Sequence, residues 1–395
     1  MNVETILFAL LRMEICGEAV SEEIKAAISP EILEPLFELS RKHSVAQIVG
    51  NALSKLGVLG QDEASVKFRK STMGAVTRYI QMSNAYYCIC DALEKAQIPF
   101  LPLKGLILRD WYPEPWMRTS SDIDILVKRE DLEFAAGIVS DKLGYQKEKE
   151  ESHDISFYSP AGIHLELHFN LIEDSISQVQ SELLSRIWDV VHPAEGYTYK
   201  MIMPMSWFRF YHISHMAKHV KYAGCGIRPL IDLWIIDHRV GYDVNEEEEL
   251  ITKGCLVSFE KAAKRLSEHW LSRGPLDELS RHLGDYILGS GTHGTARNII
   301  TIRQRGKVGK VRYALARVFK PRDSLRKMYP VLEKYKWLYP LCMVHRWLHI
   351  LCDRKLRTYA VWELKEHADT SAEEIRGVSY LLEQLEIENK KKPND

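Results

Sequence analysis

The sequence predicts an α+β fold in which a small mixed sheet is embedded between two helical regions. Three observations predict it. Apolar residues recur at helical spacing through residues 1–97, short strand-like segments fill 98–172, and helical spacing returns from about residue 205. We therefore expect an N-terminal helical region at 1–97, an α/β core at 98–172 and a C-terminal helical region at 173–395.

The first region carries the spacing of packed helices. Apolar residues recur with the helical period in ETILFALLRM, in PEILEPLFELSRKHSVAQIVGNAL and in ASVKFRKSTMGAVTRYIQMSNAYYCICDALEKA. Ser29 is placed to cap the second of these segments, because Pro30 follows it at a first helical position, where proline is favoured.

The middle region changes character at QIPFLPLKG, an apolar run that predicts a strand ending at Gly105. A brief helix is expected in LILRDWYP, a strand in SDIDILVK, and an amphipathic helix in REDLEFAAGIVSDKLGY, closing near Gly144. Three further strands are expected in YQKEKE, DISFYSP and GIHLELHFNL, with a turn at SPAG between the last two. Helical spacing resumes in SWFRFYHISHMAKHVKYAG and SFEKAAKRLSEHWLSR.

Composition and charge limit the classes of partner. The 395 residues are 46% hydrophobic and 27% charged, and the formal net charge of -1 creates no overall field for nucleic acid or membrane. Seven scattered cysteines lack metal-ligand or redox spacing, which favours a reducing cytoplasm. No run approaches the ~18 apolar residues of a membrane span, and the N-terminus lacks the charged start of a signal peptide. We expect a cytoplasmic protein without membrane association, and nothing points to an obligate protein partner.

Two aspartates stand at the start of the strand in SDIDILVK. Alternation places Asp122 and Asp124 on one face and Ile123 and Ile125 on the other. Two carboxylates about 7 Å apart repel unless a cation lies between them, and Mg²⁺ is commonly held by carboxylates together with substrate phosphates. The alternative for such a pair is a turn cap at Asp122 and a solvated strand residue at Asp124.

Three further features favour the metal interpretation. Glu166, on a later strand, supplies the third carboxylate that a two-metal site needs. Lys104 and Gly105 stand at a strand-to-helix junction, where a glycine lets phosphate approach the backbone. Arg118, four residues before Asp122, is expected to contact a triphosphate oxygen.

The segments LKGLILRDWYPEPWMRTSSDIDILV and HLELHFNL resemble the DNA-polymerase-beta-like nucleotidyltransferase superfamily, and within it a bacterial family of nucleotidyltransferases. The resemblance covers about residues 98–172 and extends more loosely to HISHMAKHVKYAGCGIRPLIDLW. It implies catalysis by Asp122, Asp124 and Glu166 with two Mg²⁺ or Mn²⁺ ions. The two aspartates would bind both ions, and the glutamate would bind the catalytic one.

Nucleotide contacts are assigned, with that resemblance, to Lys104, Gly105, Arg118 and Ser121. One departure concerns the helix junction, where the superfamily usually has Gly-Ser and this chain has Gly105 followed by Leu106. Triphosphate binding must then depend on backbone amides, on the lysine or on the arginine. The third acid is also Glu where Asp is common, which shifts its reach by one methylene.

Histidines near the acids allow other interpretations. His164, Glu166 and His168 share a strand face and resemble a two-histidine, one-carboxylate metal site. The preferred interpretation packs His168 beside the site, where it orients Glu166. His212, His215 and His219 form one helical stripe whose spacing suits either a metal or a helix packed on the catalytic unit.

The pocket for the nucleotide or the acceptor is expected to include Lys218, Arg228, Asp232 and His168. A basic segment at 301–327 predicts either a solvated surface or a contact for a phosphate-rich acceptor such as RNA.

The predicted reaction is attack by an acceptor on the α-phosphorus of an NTP such as ATP, with release of pyrophosphate. The acceptor stays open among a small molecule, a protein and RNA. One variant is a toxin-type nucleotidyltransferase acting on tRNA or protein, and the alternative is a non-catalytic nucleotide- or RNA-binding adaptor. Asp124→Ala is expected to abolish transfer without loss of stability, because it removes a charge from a repelling acidic cluster.

Overall fold

The structure is a computed structural model. It describes residues 1–150, 153–172, 177–292, 298–299, 301–302, 318–326, 328–354, 356–358, 361–362 and 371–387. Most of the basic segment 301–327 therefore lies outside the described residues, and its predicted contact with a phosphate-rich acceptor stays a prediction.

Helices occupy the N-terminal region, as predicted. They are α1 Val3–Cys16, α2 Glu22–Ala27, α3 Pro30–Lys42, α4 Ala46–Lys55 and α5 Glu63–Lys95. Ser29 is the N-cap residue of α3 and Pro30 is the first residue of that helix, which confirms the predicted start.

The middle region forms a five-stranded mixed sheet, which confirms the predicted fold class. Its strands are β1 Phe100–Pro102, β2 Asp122–Val127, β3 Gln146–Glu150, β4 Asp154–Tyr158 and β5 His164–His168. They lie in the order β1-β2-β5-β4-β3, and β2 pairs with β5 in parallel while the other pairs are antiparallel. Two short helices, α6 Gly105–Leu108 and α7 Leu132–Gly137, follow β1 and β2.

The described residues of the C-terminal region form helices and a small ribbon that was not predicted from the sequence. The ribbon pairs β6 His192–Pro193 with β7 Met201–Ile202. The helices are α8 Gln178–Leu184, α9 Met205–Tyr222, α10 Arg228–Arg239, α11 Val244–Lys253, α12 Val257–Ser272, α13 Glu278–Ser290, α14 Arg322–Arg326, α15 Val331–Lys334, α16 Tyr339–Cys352 and α17 Ala372–Gln384.

The apolar residues form two main clusters that α5 connects. The larger cluster joins the N-terminal helices to α9, α10, α12 and α13, and it includes Phe68 from the first half of α5. The smaller one lies between the sheet and the second half of α5, which contributes Ile89 and Leu93. Helical regions that are far apart in the sequence therefore share one core. The sheet joins that core through α5 and through its own Leu101 and Leu126.

A buried arginine fixes the orientation of α9. Arg209 is fully buried, and its guanidinium contacts Asp237 of α10, Glu247 of α11 and Glu260 of α12. Its Nε lies 2.6 Å from Asp237 Oδ1 and its Nη2 lies 2.7 Å from Glu260 Oε1. This network holds α9 where its other face borders the sheet.

Within the described ranges, every helix is too short or too polar to cross a lipid bilayer.

Candidate active site

A cavity of about 300 Å³ lies between one end of the sheet and helices α9 and α10. Every residue with a predicted site role lines it. These residues are Lys104, Gly105, Arg118, Ser121, Asp122, Asp124, Glu166, His168, Lys218, Arg228 and Asp232. The structure therefore brings together groups that are separated by up to about a third of the chain, while their individual roles stay predictions.

Parallel pairing of β2 and β5 sets the three predicted catalytic acids side by side. The register places Asp122 opposite His164 and Asp124 opposite Glu166. Their ligand atoms form two groups in which all atoms lie within 4.8 Å of one another. One group is Asp122, His164 and Glu166, and the other is Asp124, Glu166 and His168. Glu166 belongs to both groups, whereas each aspartate belongs to one.

The donor set of these groups fits a divalent cation. Each group offers two carboxylates, the hard oxygen ligands that Mg²⁺ and Mn²⁺ favour, and one imidazole. The alternative site made of His164, Glu166 and His168 alone is not what the structure assembles, because each histidine is grouped with a different aspartate. Among the described residues, neither group includes a histidine of α9.

Two serine hydroxyls orient Asp122. Ser120 Oγ donates to Asp122 Oδ1 at 2.9 Å and Ser121 Oγ donates to Asp122 Oδ2 at 3.1 Å. Such hydrogen bonds fix the direction of a ligand carboxylate before a cation arrives.

Asp124 is buried between two basic groups. Only 5% of it is exposed, and its Oδ1 lies 2.9 Å from His168 Nε2 while its Oδ2 lies 3.8 Å from Lys104 Nζ. Burial alone would raise the pKa of Asp124, but Lys104 and His168 hold that pKa well below its usual range. The prediction of a repelling acidic cluster is therefore wrong, because the basic side chains of Lys104 and His168 lie inside the cluster.

His168 contacts both of the inner acids. Its Nε2 lies 3.3 Å from Glu166 Oε2, slightly farther than from Asp124. Burial would lower the pKa of His168, but the contacts with Asp124 and Glu166 raise it above its ordinary value. The ring is therefore placed to orient Asp124 as much as the predicted Glu166.

Lys104 has an unusual backbone conformation. It precedes α6 with φ 43° and ψ -113°, a positive φ that non-glycine residues seldom adopt. Burial would lower the pKa of Lys104, but Asp124 and other neighbours raise it above its ordinary value, so the side chain is a cation. Strain of this kind is concentrated at functional sites.

Gly105 leaves space that a side chain would fill. A Cβ there would lie 3.3 Å from Arg118 Nη1 and 3.4 Å from Ser120 Oγ. Leu106, the residue in place of the usual serine, is 6% exposed and packs into the core beneath the sheet. The sequence analysis missed Ser120, whose hydroxyl lies beside the glycine. The adjacent serines gave no signal to distinguish Ser120 from Ser121.

An ion pair connects Arg118 to α10. Arg118 Nε donates to Asp232 Oδ1 at 2.8 Å and to Oδ2 at 3.1 Å, and both residues are buried. Tyr112, which the sequence analysis did not identify, donates its hydroxyl to Asp232 Oδ1 at 2.6 Å. Burial would raise the pKa of Asp232, but Arg118 lowers it below its ordinary value.

Arg228 stands next to this pair. Its Nη1 donates to Thr119 O at 3.0 Å, and the same carbonyl accepts 2.8 Å from Arg118 Nη1. Burial and the neighbouring Arg118 charge lower the pKa of Arg228 to about 10.

His212 and His215 of α9 face the cavity in neutral form, and His219 lines the cavity beside them. His212 Nε2 lies 2.8 Å from Pro229 O, and the Nε2 atoms of His215 and His219 lie 3.3 Å apart. Burial lowers the pKa of His212 and lowers that of His215 well below its usual range. The expected packing of this helix against the catalytic unit is confirmed.

A comparison with protein-family models agrees with the predicted family. The family model described as "Uncharacterised nucleotidyltransferase" matches residues 31–263, more than half of the chain. Among solved structures, the chain is similar to the antibiotic-resistance factor ANT(2'')-Ia at 10% sequence identity and a TM-score of 0.27. That match covers 49% of this chain and 91% of the other. No curated protein matches the chain.

Proposed function

The chain belongs to the uncharacterised nucleotidyltransferase family, and on that premise we propose that it transfers a nucleoside monophosphate from an NTP to an acceptor and releases pyrophosphate. The observation that carries the proposal is the register of β2 and β5, which sets Asp122, Asp124 and Glu166 side by side in a cavity that also contains basic side chains. A purely structural role gives no reason to collect three acids on adjacent strands.

The three acids would hold two Mg²⁺ or Mn²⁺ ions. When bound, such ions neutralise phosphate oxygens and stabilise the entering and leaving oxygens of an in-line displacement. Ser120 and Ser121 direct Asp122, and His168 directs Asp124 and Glu166, so the carboxylates are oriented in advance.

The nucleotide phosphates are assigned to the junction after β1. The bare Cα of Gly105 lets a phosphate approach, Lys104 supplies a cation, and the hydroxyls of Ser120 and Ser121 lie on the same side. Ser120 is placed to replace the serine hydroxyl that is absent at Leu106. Arg118 would contribute Nη1, which faces Gly105, while its Nε stays bonded to Asp232.

In the proposed reaction the acceptor oxygen forms a bond to the α-phosphorus of the NTP. The bond from that phosphorus to the bridging oxygen breaks, and pyrophosphate leaves. ATP is the first nucleotide to test. The acceptor is a small molecule, a protein or RNA, and the toxin-type variant acting on tRNA or protein uses the same chemistry. We assign the reaction to the cytoplasm, which the seven free thiols support.

A second candidate function is a non-catalytic nucleotide- or RNA-binding adaptor. The observation that favours it is Leu106, whose side chain is buried beneath the sheet and offers no hydroxyl to a triphosphate. An adaptor would bind nucleotide with a metal and release no pyrophosphate.

The test is pyrophosphate release from each of the four NTPs with Mg²⁺ or Mn²⁺, in the presence of cell extract and with α-labelled nucleotide. Wild type is compared with Asp122→Ala/Asp124→Ala and with Glu148→Ala, a control on the exposed strand β3. Label transfer in wild type and the control, but not in the double variant, is expected. Nucleotide binding without pyrophosphate or label would favour the adaptor.

A further inference from the structure

The cavity has two walls of opposite charge. The sheet wall carries three acids and one cation, namely Asp122, Asp124, Glu166 and Lys104. The helical wall carries three cations and one acid, namely Arg118, Lys218, Arg228 and Asp232. A ligand that fills the cavity therefore meets a net negative surface on one side and a net positive surface on the other.

Asp232, the acid of the helical wall, is already hydrogen-bonded within the protein. Asp232 accepts hydrogen bonds from Arg118 at 2.8 Å and from Tyr112 at 2.6 Å, and only 1% of it is exposed. It neutralises Arg118 and cannot at the same time bind a positively charged group of a ligand. The nearby His212 and His215 are neutral, because burial lowers their pKa values. Arg228 then contributes a positive charge to this wall that Asp232 does not neutralise.

Arg228 is a cation without a carboxylate partner among the described residues. Its Nη1 donates to the carbonyl of Thr119, while its Nε is buried and has no hydrogen-bond partner in the described part of the chain. A buried guanidinium nitrogen left without a partner is destabilising, and an anion is the group that would satisfy it best.

The turn that carries Arg228 is packed in place. A Cβ at Gly224 would overlap Ser290 Oγ, and one at Gly226 would lie 3.0 Å from Thr292 Cα. Gly224 also has φ +95°, which favours glycine. The turn between α9 and α10 is therefore held against the end of α13, and Arg228 is positioned before any ligand binds.

We propose that the helical wall binds an anionic group of the acceptor, a phosphate or a carboxylate, through Arg228 and Lys218. This inference rests on the proposed function, in which the triphosphate lies against Lys104 and Gly105 on the sheet wall. The acceptor then carries an attacking oxygen and, apart from it, an anionic group. An amine in place of that anionic group is expected to bind poorly, because it would lie against the Arg228 cation.

The test measures binding by calorimetry in two steps. The first step titrates a non-hydrolysable ATP analogue with Mg²⁺ into wild type, Asp124→Asn, Arg228→Gln and Arg186→Gln, whose arginine is exposed and lies outside the cavity. The second step titrates inorganic phosphate, acetate or ethanolamine into the same proteins with the analogue already present at saturation. The phosphate and acetate arms distinguish the two kinds of anion.

We expect phosphate or acetate to bind wild type and Arg186→Gln, ethanolamine not to bind, and Arg228→Gln to weaken anion binding at least about tenfold. The analogue should bind Arg228→Gln within about threefold of wild type and Asp124→Asn at least about tenfold more weakly. Equal loss of the analogue and the anion in Arg228→Gln would make this wall the triphosphate site and overturn the inference. Failure of wild type to bind either anion, or binding of ethanolamine, would also overturn it.

The proposed function and the anion site can be disproved independently of each other. Phosphate and acetate are therefore also titrated into each protein without the analogue. If wild type binds no analogue while the anion still binds through Arg228, the anion site stands and the nucleotide site does not.

Discussion

Asp232 of α10 accepts a 2.8 Å hydrogen bond from Nε of Arg118, which stands four residues before Asp122. The pair is buried, and Tyr112 donates to the same carboxylate. The start of β2, and with it the first acid of the site, is thereby fixed to the helical region.

Removing one partner of this pair is expected to destabilise the fold. Asp232→Ala should lower the free energy of unfolding by about 3–5 kcal/mol, because the Arg118 guanidinium stays buried without its counter-charge. Urea denaturation monitored by circular dichroism measures it. The control is Arg118→Met/Asp232→Leu, which removes both charges and should recover part of the loss. An equally unstable double variant would argue against the charge explanation.

Alanine variants of Asp122 and Asp124 are expected to be equally inactive but to differ in their free energy of unfolding. Either alanine variant should abolish transfer. Asp124→Ala should also lower the free energy of unfolding by about 1–3 kcal/mol, because Lys104 and His168 lose their buried acceptor. Asp122→Ala should change stability by less than about 0.5 kcal/mol, since that side chain is only half-buried and its partners are serines. Equal stability of the two variants would contradict the role of Lys104 and His168.

A methyl group at Gly105 is expected to impair nucleotide binding selectively. In Gly105→Ala the Cβ would lie 3.3 Å from Arg118 Nη1 and 3.4 Å from Ser120 Oγ, in the space assigned to a phosphate. The KM for the NTP should rise at least about tenfold while the melting temperature falls little, because alanine is favoured over glycine in a helix. Gly137→Ala, in open space on α7, is the matched control. An unchanged KM in Gly105→Ala would place the phosphates elsewhere.

Placing the usual serine at position 106 is not expected to increase activity. Leu106→Ser puts a hydroxyl into the core beneath the sheet and leaves a cavity there, so the free energy of unfolding should fall by about 2–4 kcal/mol. Pyrophosphate release should not increase. Ser120→Ala, in contrast, should weaken nucleotide binding. A more active Leu106→Ser enzyme would refute the assignment of the hydroxyl to Ser120.

His43 is expected to make stability depend on pH. Burial, with the neighbouring Lys42 charge, lowers the pKa of His43 to about 4, whereas an unfolded histidine titrates near about 6.5. The unfolded chain therefore binds the extra proton between these values, and stability falls as pH falls from about 6.5 to about 4, by up to about 3 kcal/mol. The unfolding free energy of His43→Leu should vary less over this window. His192→Gln, at an exposed position, should behave like wild type.

The strands and the shared face of the acids follow from sequence because both are local. Alternation around Asp122 and Asp124 fixes which side chains point together, and the same holds for Glu166 on its own strand. The parallel register that sets Asp124 opposite Glu166 depends on pairing across more than 40 residues, which no local pattern encodes.

Contacts made by loops and distant helices escaped sequence analysis for a related reason. Lys104 looked like a phosphate ligand, and its approach to Asp124 depends on a backbone conformation that lysine seldom adopts. Tyr112 carries no motif and meets Asp232 only because α10 packs beside it. Predicting Arg118 as a triphosphate ligand likewise took no account of the carboxylate 114 positions away that binds it.

The membership of helix α5 in both cores limits where relatives of this protein can recombine. Its first half belongs to the larger core through Phe68 and its second half to the sheet core through Ile89 and Leu93. The sheet is therefore not an exchangeable module bounded at residue 98, because a recombinant that received it alone would acquire an apolar face without its complement. Viable crossovers between relatives should fall inside α5, between Phe68 and Met82, where the sheet core is not divided.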